Sequence, residues 1–253
     1  MENILNKEQI INIKACGQIL KRAMDITESS IRPGMSTHEI NTIADQALSS
    51  QGAIAAFKNY QTADGGVFPA SACISINEQV VHGLPDKNTF IKSGDIISID
   101  LGALFKGVYT DMARTIPVGE VSSEARKLIE ITRQSLNRGI KAARAGSRIG
   151  KIGYEVQKLA ESEGYGVVRE LVGHGIGTKM HMDPQIPNYG RGNEGPVIVE
   201  GMALAIEPML TLGNPNVKMA KDGWTIITAD KSLSAHFEHT IVIENGLPIV
   251  VTK

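Results

Sequence analysis

Four acidic side chains and one histidine stand where charge is expensive. Asp100 closes the apolar run Ile96-Ile97-Ser98-Ile99, Glu207 closes Ala203-Leu204-Ala205-Ile206, and Glu238 lies between Phe237 and the run Ile241-Val242-Ile243. A carboxylate inside an apolar strand is destabilising unless it is paired or holds a metal ion. Taken singly, each reads equally well as a strand-end residue facing solvent or as half of a salt bridge. Taken together, at positions that recur along the chain, they favour a shared metal site. Asp111, in Asp111-Met112-Ala113-Arg114-Thr115-Ile116, echoes Glu238 in Glu238-His239-Thr240-Ile241. His174 lies in Gly173-His174-Gly175-Ile176-Gly177, where glycines let backbone or ligand approach closely. Asp100, Asp111, His174, Glu207 and Glu238 therefore form a candidate set of four carboxylates and one imidazole, enough for two divalent cations with bridging carboxylates. Oxygen-rich ligation with one nitrogen suits Mn, Fe, Co, Zn or Mg rather than a thiolate-bound metal. Two such ions about 3.5–4 Å apart can bind one water between them, lower its pKa and clamp a carbonyl under attack.

Two further histidines occur in structured contexts, His82 in Val81-His82-Gly83-Leu84-Pro85 and His181 in Met180-His181-Met182-Asp183-Pro184. Neither has a ligand partner at helical spacing, and a satisfied loop residue fits them as well as a catalytic one. Gly190-Arg191-Gly192-Asn193-Glu194-Gly195 matches G-x-G-x-x-G, but Pro187 and Pro196 bracket it, so it reads as a glycine loop rather than a dinucleotide fingerprint. His38-Glu39 is half of H-E-x-x-H, with Thr42 where the second histidine would stand. No G-x-S-x-G elbow and no Walker lysine occur. Cys16 falls on the core face of a helix and Cys73 on an inward strand position.

The elements that must position these groups repeat. Apolar residues at Ile10, Ile13, Leu20, Met24 and Ile31 predict a helix over 7–31, broken at Arg32-Pro33-Gly34. Ser36 and Glu39 form a capping box opening a second helix that ends near Gly52. A helix over 123–143 and another ending at Gly164 follow the same plan. The pairs Arg32/Arg144, Gly34/Gly146, Ile40/Ile152 and Gly52/Gly164 share one offset, and the strand Gly94–Asp100 resembles Gly201–Glu207. No Pro/Gly/Ser-rich linker divides the halves. Residues 1–253 therefore read as a single α/β domain with pseudo-two-fold symmetry.

Composition closes off other classes. The 253 residues carry 26 Lys+Arg against 27 Asp+Glu, a net charge of −1, which argues against a protein devoted to gripping nucleic-acid phosphates. Aromatic content of 4% leaves little for a base-stacking platform. Two cysteines 57 positions apart exclude a disulfide framework or a cysteine-rich zinc module. The N-terminal residues lack a basic then apolar signal pattern, and no apolar run of about eighteen residues occurs. A cytoplasmic location with no membrane and no DNA partner is the expectation.

Cys73-Ile74-Ser75-Ile76-Asn77-Glu78, Val80-Val81-His82-Gly83-Leu84-Pro85, Gly94–Asp100, Gly173–Gly177, Ala205-Ile206-Glu207-Pro208-Met209, Asp222-Gly223-Trp224-Thr225 and Ser234–Thr240 together resemble the type I methionine aminopeptidases of the short bacterial kind. The likeness runs in order along essentially the whole chain. It implies the pita-bread fold, with a central curved antiparallel sheet covered by helices around a dinuclear centre of Co, Mn, Fe or Zn. It also implies removal of the initiator methionine from nascent chains when the second residue is small. By position, Asp100 would chelate one metal, His174 and Glu207 would face the other, and Asp111 and Glu238 would bridge. Glu207 would handle the proton of the water held between the metals. His82 would contact the scissile amide and His181 the carbonyl oxygen. Phe68, Cys73 and Trp224 match lining positions of the methionine pocket.

The sequence departs from the family between Asn59 and Phe68, where relatives have a shorter, more aromatic stretch, and at Met180, where an aromatic residue is common. Rival readings are an X-Pro peptidase, whose family members carry an added N-terminal domain, and a non-catalytic RNA- or ribosome-binding relative, which would lack metal ligands. Lys218, Lys221 and Lys231 offer a basic patch for transient ribosome contact, although a solvated face is the simpler reading. A monomer acting on N-terminal methionyl peptides is expected.

Overall fold

The computed structural model describes residues 4–61 and 65–253, so Thr62, Ala63 and Asp64 of the divergent stretch lie outside the described residues. The first half runs α1 (Lys7–Ser30), α2 (Thr37–Ser49), β1 (Ile54–Ala55), β2 (Ala72–Ile76), β3 (Gln79–Val81), β4 (Ile96–Phe105) and β5 (Val108–Pro117). The second runs α3 (Ser123–Ala142), α4 (Gly150–Ser162), β6 (Gly166–Val167), β7 (Gly173–Gly175), β8 (Met182–Ile186), β9 (Ala203–Ile206) and β10 (Met209–Thr211). It continues with β11 (Val217–Met219), β12 (Ile226–Thr228), β13 (Ser234–His236), β14 (His239–Glu244) and β15 (Leu247–Val250).

The helices start and stop where local chemistry requires. Asn6 and Ser36 each cap their helix with a reciprocal Gln9 or Glu39 contact, satisfying backbone donors that the first turn leaves orphaned. The repeat-related glycines end or follow helices in the left-handed region in both halves: Gly34 and Gly146 at φ 91° and 85°, Gly52 and Gly164 at 76° and 84°. A Cβ would be strained at each, which explains why glycine recurs at that offset. The second half departs at the start of α4, where Ile149 provides no side-chain cap. There the Gly190–Gly195 loop lies over the helix start, and Gly150 N–H donates to Glu194 O at 3.0 Å. That loop is structural, as its flanking prolines indicate.

α1 and α2 bury Ile13, Leu20, Met24, Ile40 and Leu48 against Ile97, Ile99 and Leu101 of β4. Leu136, Ile140 and Ile152 of α3 and α4 pack on Leu204, Ile206 and Ile241 of β9 and β14. β4 pairs antiparallel with β5, and β9 pairs antiparallel with β14, so the two halves repeat in strand pairing as well. Among the described residues every strand pairing is antiparallel, in four hydrogen-bonded groups of strands. One break falls on the seam between halves, where β5 runs beside β13 and β14, although β3 and β12 pair across the halves elsewhere. Ala113 and Glu238 exchange backbone bonds across the seam, at 2.9 and 3.4 Å. On either side a threonine hydroxyl replaces the ladder. Thr240 Oγ1 accepts from Asp111 N–H at 2.8 Å and donates to Asp111 O at 2.9 Å. Thr115 Oγ1 accepts from His236 N–H at 2.8 Å and donates to His236 O at 2.8 Å. No helix of the described residues is long and apolar enough to cross a membrane.

Candidate active site

The seam is where the acidic residues meet. In the β4–β5 ladder Asp111 lies opposite Gly102, and Asp100 lies opposite both Ala113 and, on β2, Cys73. Directly opposed residues share a face of the sheet, so Cys73, Asp100 and Asp111 point the same way. Glycine at 102 keeps that face open: a Cβ there would meet Phe57 at 2.8 Å and Met180 at 2.9 Å. Glu238 enters from the other side of the seam, between β13 and β14. Asp100 lies within β4, whereas its repeat-related partner Glu207 falls just past β9, where Pro208 has no N–H to continue the ladder. His174 sits in β7, opposite Ala205.

All ten side chains marked out by the sequence line one cavity of about 190 Å³: Asp100, Asp111, His174, Glu207, Glu238, His82, His181, Phe68, Cys73 and Trp224. His174 Nε2 lies 3.6 Å from Glu207 Oε1 and 4.0 Å from Asp111 Oδ2. Its Nδ1–H donates to Gly175 O at 2.9 Å, which turns the Nε2 lone pair toward the carboxylates, the tautomer a metal requires. Burial pushes the Asp100 and Glu207 carboxyls up to about 7, and burial together with neighbouring carboxylates pushes Asp111 and Glu238 well above the usual range. Asp100 Oδ1 and Glu238 Oε1 are buried without a hydrogen-bond partner among the described residues. Four acids crowded this way, with orphaned oxygens and one presented imidazole, are a poor apo core and a fitting donor set for divalent cations. The sequence's ligand set therefore has the chemistry that metal ions need.

His82 follows β3 at φ 59°, a left-handed conformation that costs a non-glycine residue of order 1–3 kcal/mol. Its ring is held neutral, with burial lowering it to about 4. His181 is likewise lowered to about 4 by burial. Its Nδ1 meets Tyr60 Oη at 2.7 Å and its ring lies 4.4 Å from that of His174. Phe68 packs edge-on against Trp224 at 5.3 Å and Phe57 at 6.5 Å. Trp224 stands in the turn between β11 and β12, whose exposed Lys218, Lys221 and Lys231 are spread around that hairpin.

Three residues of the site were not singled out from the sequence. Phe57 and Tyr60 line the cavity, Tyr60 from the divergent stretch and Phe57 just ahead of it. His236, buried at the end of β13, places Nε2 3.6 Å from Glu207 Oε2. A histidine two positions before Glu238 was the available cue, but its direction depends on the seam.

Comparison with known proteins agrees with this geometry. Residues 11–245 match metallopeptidase family M24. The methionine aminopeptidase of Clostridium acetobutylicum is 44% identical over 249 residues, 98% of each chain. The crystal structure of the methionine aminopeptidase from Thermotoga maritima superposes with a TM-score of 0.95 at 40% identity, covering 99% of this chain and 98% of that one. A prolidase from Pyrococcus furiosus shares the fold at 25% identity and a TM-score of 0.79, but this chain spans only 65% of it. Match, identity and coverage agree: the chain belongs to metallopeptidase family M24 and, within it, to the methionine aminopeptidases.

Proposed function

We propose that this chain is a dinuclear metal-dependent aminopeptidase that removes the initiator methionine from new polypeptides when the second residue is small. The observation that carries the reading is a single cavity that joins a buried cluster of four carboxylates and an imidazole to a small pocket of Phe57, Phe68, Cys73 and Trp224. Asp100, Asp111, His174, Glu207 and Glu238 hold two divalent cations, which when bound supply an electrophile for the scissile carbonyl and make water acidic enough to attack it. Glu207 takes a proton from the attacking water and returns it to the leaving amine. His181 donates to the carbonyl oxygen as charge develops there. The Tyr60 hydroxyl, bonding to Nδ1, leaves the His181 proton on Nε2 for that purpose. His82 holds the scissile amide. The apolar pocket takes the methionine side chain.

Metal-stripped protein should release methionine from Met-Gly peptides when Mn, Co, Fe or Zn is restored singly, and Glu207→Ala should abolish release. Cleavage of X-Pro peptides instead would mean the site was assigned correctly and the pocket wrongly. No release with any metal would overturn the reading.

A further inference from the structure

His236 is 1% exposed, and neither ring nitrogen has a hydrogen-bond partner among the described residues. A neutral imidazole offers one donor and one acceptor, and burying both unused is destabilising. The side chain has no route out, because Thr115 Oγ1 holds both the His236 N–H and its carbonyl on the seam. Nε2 is 3.6 Å from Glu207 Oε2, too long for a hydrogen bond. It matches the separation of two donor atoms on one ion, since metal–ligand bonds of about 2.0–2.2 Å place neighbours roughly 3–3.6 Å apart.

The clustering repeats the point. Ligand atoms of Asp111, His174 and Glu238 lie within 4.8 Å of one another, and so do those of Glu207, His236 and Glu238. Each triad has two carboxylates and one imidazole, and Glu238 belongs to both.

We infer that His236 Nε2 is itself a metal ligand, so that the centre holds two imidazoles where the sequence reading supplied one. This rests on the dinuclear reading above. A second nitrogen donor shifts preference toward Co, Fe and Zn over Mn and Mg.

The test uses the full chain, stripped of metal and loaded with Co(II), examined by proton NMR near neutral pH. Wild-type protein with both sites filled should show two strongly shifted, solvent-exchangeable imidazole N–H signals, and His236→Gln should show one. In competition titrations His236→Gln should bind Zn(II) about tenfold or more weakly, with Mn(II) affinity changed by less than about threefold. The wild-type count stands even if the variant does not fold. One shifted signal in wild-type protein with two Co(II) bound, or unchanged Zn(II) affinity in a folded variant, overturns the ligand and leaves the dinuclear centre intact. Failure to bind Co(II) at all overturns both.

Discussion

Glu207 lies between two imidazoles, with His174 Nε2 3.6 Å from one oxygen and His236 Nε2 3.6 Å from the other. In metal-free protein this crowded centre titrates in an unusual direction. Asp100 and Glu207 rise from ordinary values of 3.8 and 4.5 to about 7 on burial. Between those limits the native state binds more protons than the unfolded chain, so their contribution to stability is lost as pH rises through about 7. Metal ions displace the same protons. The rise in melting temperature on adding metal should therefore be larger at pH 8 than at pH 6, read by thermal denaturation with and without chelator; equal gains would contradict the shifts. Tyr60→Phe tests the other proton held in place: kcat for a methionyl peptide should fall about tenfold, near 1.4 kcal/mol, with KM little changed. That Asp100, Asp111, Glu207 and Glu238 gather in one cavity was legible because acids in apolar runs are costly and a repeat supplied each half with its own. Tyr60 was not, because it meets His181 across 121 residues of chain, and no local pattern encodes such a contact.

Among the elements, the helix boundaries were the most legible. Capping boxes and left-handed glycines are local chemistry, and Ser36–Glu39 reads the same in sequence and structure. Ser36→Ala should cost about 1 kcal/mol, lowering the melting temperature by about 2–4 °C for a chain of this size. The strands' grouping was less legible. The antiparallel pairing was expected; that threonine hydroxyls replace backbone partners along part of the seam was not. Nothing in Thr115 or Thr240 announces that role, since threonine is common in strands for its shape alone. Each should nonetheless be sensitive. Thr240→Val leaves the Asp111 N–H buried and unpaired, and Thr115→Val does the same to His236 N–H, at about 1–3 kcal/mol each. Denaturant unfolding should show the loss, whereas an exposed substitution such as Thr42→Val on α2 should change stability by less than about 0.5 kcal/mol.

At the scale of the whole molecule, most acids are displayed at the surface, and Asp100, Asp111 and Glu238 are the exceptions that the fold buries among the described residues. The repeat was visible as a shared offset, and its meaning emerges from where the proposed ligands originate. Asp100 and Asp111 precede the Val118–Ser122 connection into α3, and His174, Glu207 and Glu238 follow it. A chain nicked in that connection should keep its activity only while the two pieces stay associated, as activity measured before and after mild denaturant and size separation would reveal. A half-length forerunner, carrying only one pair of acids, would have had to meet another copy of itself before it could hydrolyse anything. Within this single polypeptide the threonine seam supplies that meeting.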